Sequence, residues 1–241
     1  MARTLLQLMQ QAANEIGIPE PSLLFGAADD TTKQLLALAQ REGKEFSETK
    51  GDSGGWTALH KEYTFNTVNG QKDYALPADF QYFVNRTFWD NAFKWELLGP
   101  ITAQEKQILR YGVIASGPRR KFYVMAGKIY LEPTPEVDGE MIAFDYYSDQ
   151  WCKSAGGTGQ NQWQADTDTY VLDEDMFIKG IKWRYLRAKG LDYSQEYADY
   201  LADMNKVVGR DGGARDLPLA GGTFGTHFLG YENIPETGYG S

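Results

Sequence analysis

The chain has 241 residues, 42% of them apolar, and carries a formal charge of -9 from 33 acidic against 24 basic side chains. That length supports one large domain, or a core domain with an insertion, and a sizeable buried core. The acid excess excludes non-specific duplex binding, which depends on clustered Lys and Arg.

No stretch approaches the roughly 18 to 20 unbroken apolar residues that a bilayer requires, and the N-terminal segment lacks the regions of a signal peptide. A soluble protein made in the cytoplasm is expected, with no membrane partner. Cys152 is the only cysteine, which excludes an internal disulfide framework and a cysteine-rich zinc site. The 14% aromatic share and 26 glycines point to extended β structure and long ordered loops beside the helices.

In chain order, Thr4 and Gln7 form a capping box, and Leu5, Met9, Ala12, Ala13 and Ile16 follow at helical spacing up to Gly17. Asp30 or Thr31 caps a second helix through Leu35, Leu38, Ala39 and Phe46, with Gly43 weakening its last turn. The short separation suggests an α-hairpin. From Trp56 the pattern alternates: a strand through Tyr63 and Phe65, a type I′ turn at Asn69-Gly70, and a returning strand from Asp73 to Leu76. Phe80 to Trp89 reads as a longer strand and Lys94 to Leu98 as a short partner. Thr102 and Glu105 open a brief helix. Strands resume at Phe122 to Met125 and Lys128 to Leu131 around Ala126-Gly127, and at Met141 to Tyr147.

Residues 151–167, rich in Gly, Gln and Asn, read as a long exposed loop. Asp173 then caps a helix that stops at Gly190, and a last helix carries Tyr193, Tyr197, Tyr200, Leu201, Met204, Val207 and Val208 on one face. From Gly209 to Ser241 there are nine glycines in 33 residues and no periodicity, with Phe224, Phe228, Tyr231 and Tyr239 spaced along the segment as candidate partner-binding anchors. The expected fold class is α+β. Helices from 1–50 and 168–210 form a bundle, 56–150 is an inserted antiparallel β domain, 151–167 an exposed loop, and 211–241 an extended docking arm.

Candidate chemistry is sparse. Asp166, Asp168, Asp173, Glu174 and Asp175 are the densest acids, and glycosidases use paired carboxylates. Helix capping and solvation explain them better, because Asp173 to Asp175 sit where a helix N-terminus attracts acids. Asp166 and Asp168 lack the glycine and terminal glutamate of a calcium loop, so no metal site is assigned. His60 and His227 lie too far apart in sequence for a ready zinc site or triad. Cys152 reads as an inert packed thiol. No phosphate-binding glycine motif is present, and neither a catalytic residue nor a cofactor is expected. Arg119, Arg120 and Lys121 form the only tight basic run, read as a solvated strand start. Trp56, Trp89 and Trp95 are sugar-stacking candidates, more often core on alternating strands.

The run from Tyr63 to Phe80, YTFNTVNGQKDYALPADF, resembles a pattern of podovirus head-to-tail adaptor (connector) proteins: strand, Gly turn, then Y-x-L-P-x-D-F. In this reading Tyr74 and Leu76 share one side, Pro77 ends the ladder and Asp79 caps the corner backbone. A second run, WRYLRAKGLDY from Trp183 to Tyr193, resembles the helix, Gly turn and helix near the end of these adaptors. The resemblance implies a homo-oligomeric ring of about twelve subunits, closed by heterologous contacts, under the portal protein. It implies a C-terminal arm gripping the portal, a tail nozzle protein on the opposite face, and DNA passing through the lumen without specific binding. A negative lumen suits that passage, since like charges repel within a Debye length of about 8 to 10 Å. A tail-associated peptidoglycan hydrolase using the acidic cluster, and a carbohydrate-binding tail component, are the alternatives.

Overall fold

The computed structural model describes residues 2–49, 54–111 and 120–212. α1 (Leu5–Ile16) begins at the expected capping box, with Thr4 and Gln7 each bonding the other's backbone N–H. It ends where Gly17 takes a left-handed φ of 81° and donates to the Ala13 and Asn14 carbonyls. α2 (Asp30–Glu48) is capped by Asp29, one residue before the expected cap. α3 (Ala103–Tyr111) starts at the Thr102–Glu105 box. α4 (Glu174–Ala188) is capped by Asp173, and α5 (Ser194–Arg210) follows the Gly190 turn. α1, α2 and α5 all pack on α4. The first two helices therefore meet across α4 rather than chiefly as the expected α-hairpin: the apolar faces of both are satisfied by α4, which is buried on several sides.

The strands in chain order are β1 (His60–Asn66), β2 (Asp73–Ala75), β3 (Phe80–Phe83), β4 (Trp89–Asp90), β5 (Trp95–Glu96), β6 (Lys121–Met125), β7 (Lys128–Glu132), β8 (Met141–Ser148), β9 (Cys152–Lys153), β10 (Gly159–Gln160) and β11 (Thr169–Tyr170). They make three antiparallel sheets, ordered β1-β8-β4-β5 with β3 also on β8, β2-β7-β6, and β10-β9-β11. The Ala126-Gly127 turn joins β6 to β7 with φ of 50° and 70°, the positive values a type I′ turn needs. Asn69-Gly70 also turns the chain, yet it makes no hairpin. β1 pairs with β8 from His60↔Tyr147 to Asn66↔Met141, while β2 pairs with β7. Ring packing accounts for the choice: Tyr63 lies 5.5 Å from its cross-strand partner Phe144 within the β1–β8 ladder, and Phe65 lies 4.6 Å from Tyr74 of the other sheet. The expected long strand from Phe80 splits into β3 and β4 because the chain bends at Arg86, whose φ is 65°.

Two cores result. One gathers Leu5, Leu8, Met9, Leu35, Phe46, Phe177, Ile181 and Tyr200 from the helices. The other gathers Phe88, Phe122, Ile129, Leu131, Ile142, Phe144 and Tyr146 between the two larger sheets. β8 serves both, since Tyr147 belongs to the helical core and Phe144 and Tyr146 to the β core. Segment 151–167 is exposed over much of its length, as its composition suggests, but it is pinned to the helical core at a few points. Trp151, Cys152 and Trp163 are buried in the helical core, and β9 and β10 pair within the segment. A few large aromatics between polar residues pin the chain here, a pattern that average polarity hides.

Candidate assembly interface

The five acids that mark a possible catalytic cluster fall into three structural devices. The Asp166 carboxylate accepts from the Leu24 and Phe25 N–H groups, at 3.0 to 3.2 Å. Asp168 is buried and accepts from the Gln164 and Ala165 N–H groups at 2.7 and 2.9 Å. Their backbone carbonyls accept from Leu6 and Leu5, so this pair splints the start of α1 to the preceding loop. Asp173 caps α4 through the Met176 N–H. Arg3 then clamps the same helix end, its Nε on Glu174 and its Nη2 on Asp175, both at 2.6 Å. Asp166 and Asp168 are therefore not the solvated loop acids expected. Their oxygens face backbone donors, so this pair is not placed to flank a sugar bond in an open cleft.

The remaining candidates are equally occupied. Cys152 donates to the Gln160 carbonyl, and burial pushes its thiol up to about 12, so thiolate is scarce at neutral pH. His60 Nε2 lies 3.2 Å from Asp145 on the exposed end of β1, and His227 lies outside the described residues. Among the described residues no group of three or more His, Cys, Asp or Glu is placed to hold a metal ion. Arg120 is not solvated: it is largely buried and pairs with Asp90 and Glu140, while Arg119 lies outside the described residues. Trp56 is a core residue, stacked on Phe46 at 4.6 Å with its indole N–H on the Phe46 carbonyl. Trp89 is exposed, and Trp95 stacks on exposed Phe93 at 5.0 Å, leaving a small aromatic surface on the β4–β5 edge.

The anchors Phe224, Phe228, Tyr231 and Tyr239 lie outside the described residues, but the root of their segment is described. Asp211 accepts from the Thr57 N–H at 2.8 Å and its hydroxyl at 2.6 Å, tying the end of α5 to the turn before β1. Sequence reasoning missed the features α5 carries nearby. Tyr197 and Leu201 are exposed although they share the apolar stripe of buried Tyr200 and Met204. Arg41, Arg184 and Arg187 converge beside Leu38 and Trp183 around a cavity of about 220 Å³. The i, i+3 spacing of Arg184 and Arg187 marks one helix face; their meeting with Arg41 depends on how α2 crosses α4. A buried network lies beneath: Glu42, fully enclosed, accepts from Arg184 and from the Tyr200 hydroxyl at 2.9 Å.

Exposed large apolar side chains remain at Trp89, Phe93, Tyr197 and Leu201. No described helix is long and apolar enough to cross a membrane. Comparison with known proteins gives a match to the family model described as SU10 adaptor protein over residues 3–220. No curated protein matches the chain.

Proposed function

The chain belongs to the SU10 adaptor protein family of phage head-to-tail adaptors, and from that premise we propose that it forms a ring joining the portal to the tail nozzle while DNA passes through the lumen. As a member of this family it is a virion component. The single observation that carries the proposal is the family match across residues 3–220, which takes in both cores and the root of the arm. The acid excess of the chain supports an untethered passage for DNA, since a negative wall repels phosphate. The anchors Phe224, Phe228, Tyr231 and Tyr239 supply apolar side chains on a glycine-rich segment for gripping the portal. A peptidoglycan hydrolase draws no support from Asp166 and Asp168, whose oxygens are taken up by backbone N–H groups.

Native mass spectrometry of the purified chain with isolated portal rings tests the proposal. The expected product carries about one copy per portal subunit, as closed rings of equivalent contacts require. A chain that ignores the portal under all salt conditions would remove the adaptor reading.

A further inference from the structure

α5 is built with an apolar arc wider than its own subunit covers. At about 100° per residue, the arc from Val207 through Tyr200, Met204 and Tyr197 to Leu201 spans about 120°. α4 buries the middle of it, Tyr200 and Met204, and leaves Tyr197 at 39% and Leu201 at 43% exposure. The two flanks of α5 differ in charge. On one lies the arginine cavity between α2 and α4, and on the other a groove of about 270 Å³ between α1, α4 and α5. On the same 100° spacing, the α4 residues of the cavity and of the groove point about 140° apart around α4. α5 sits between them, touching Lys179 and Trp183.

The charges on each flank do not cancel. In the cavity, Glu45 takes Arg41 and shares Arg184 with Glu42, and Arg187 has no acidic partner among the described residues. In the groove, Asp203 takes Lys179 and Lys206, and Glu196 lies 4.0 Å from Lys182. Asp199 bonds the Gln195 amide and adds to the field on Lys179, so the groove sets four carboxylates, Glu15, Glu196, Asp199 and Asp203, against three lysines, Lys179, Lys182 and Lys206. Among these residues the cavity flank, three arginines against two glutamates, carries a net positive charge and the groove flank a net negative one; Tyr197 packs on Trp183 at the cavity side of α5, and both it and Leu201 lie about 160° around the helix from Asp199.

We propose that the outer face of α5 is the surface on which a second copy of this chain docks, Asp199 of one copy against Arg187 of the next. This names the subunit contact of the ring proposed above and rests on that reading for the identity of the partner. Charge complementarity selects the copy: each copy brings its net negative groove flank to a neighbour's net positive cavity flank, which covers Tyr197 and Leu201. In a head-to-tail ring the two unlike flanks meet at every subunit contact.

Full-length Arg187→Glu, Asp199→Lys and wild-type chains, each alone and the two variants mixed, would be compared by sedimentation velocity over a concentration series with and without portal rings. Neither side chain holds another element in place, so both variants should fold with wild-type circular dichroism. Each variant alone should self-associate at least tenfold more weakly than wild type. The mixture should recover most of the loss, since the two reversed charges then meet as an opposite pair. Self-association unchanged in both variants would overturn the interface while leaving the adaptor reading intact. Loss of portal attachment by Arg187→Glu with self-association unchanged would overturn it too, by assigning the cavity to the portal. A wild-type chain that neither self-associates nor gathers side by side on the portal would overturn it as well, and if that chain also ignored the portal the adaptor reading itself would fall.

Discussion

Asp79 stands at the point where β1, the turn before β3, and β8 converge. Its carboxylate accepts from Lys61 Nζ at 2.6 Å, Ser148 Oγ at 2.7 Å and Tyr146 Oη at 2.9 Å. The sequence marks this aspartate through the P-x-D-F corner and suggests a backbone cap. The carboxylate instead binds three side chains, two of them on a strand almost 70 residues away, which local pattern has no means to reveal. Burial pushes its pKa up, and the three donors outweigh burial, so Asp79 titrates below the usual aspartate value. A depressed folded pKa contributes stability that is present above about pH 4 and lost as pH falls through the depressed value. Asp79→Asn should therefore lower unfolding stability by about 1 to 3 kcal/mol at pH 7. The gap to wild type should narrow steadily below pH 4 in urea titrations. A gap that stays constant from pH 7 to pH 2 would mean that the charge on Asp79 contributes nothing.

At the scale of elements, helices were the most legible parts, because caps and 3.6-residue periodicity are local. The pairing of β1 with β8 and the pinning of 151–167 to the helical core were not, because each depends on partners far along the chain. Gly43 illustrates the difference. Within α2 alone it reads as a weak point, but a Cβ there would overlap the Trp151 ring. The glycine is the seat on which segment 151–167 packs. Gly43→Ala gains up to about 1 kcal/mol of helix propensity but overpacks the contact at a cost of about 1 to 3 kcal/mol, so the net effect should be destabilising. Gly209 in α5 is the opposite case: beyond its own helix backbone and chain neighbours, no atom of the described residues lies within 4 Å of its Cβ position. Gly209→Ala should stabilise by about 0.5 kcal/mol, the propensity gain being reduced near a helix end. Chemical denaturation of both variants should give shifts of opposite sign. Two shifts of the same sign would refute the packing role of Gly43.

For the molecule as a whole, the composition change at Gly209 was the clearest large-scale signal in the sequence, and among the described residues the two cores draw on positions from Leu5 to Val208. The two cores share β8, so the described residues are expected to unfold as one cooperative unit. Where the chain is cut then matters. Ending it after Gly212 keeps the Asp211 contact with Thr57, and the unfolding free energy should stay within about 0.5 kcal/mol of the full chain. Ending it after Arg210 removes two hydrogen bonds that tie α5 to the turn before β1, and should cost about 1 kcal/mol. Both truncations remove Phe224, Phe228, Tyr231 and Tyr239, and both should lose attachment to portal rings in native mass spectrometry. The cut after Gly212 thus separates the two jobs of the C-terminal region, because stability is intact while attachment is gone. Attachment at full-chain affinity would move the portal contact onto the folded body, and a large loss of stability would make 213–241 part of the subunit core.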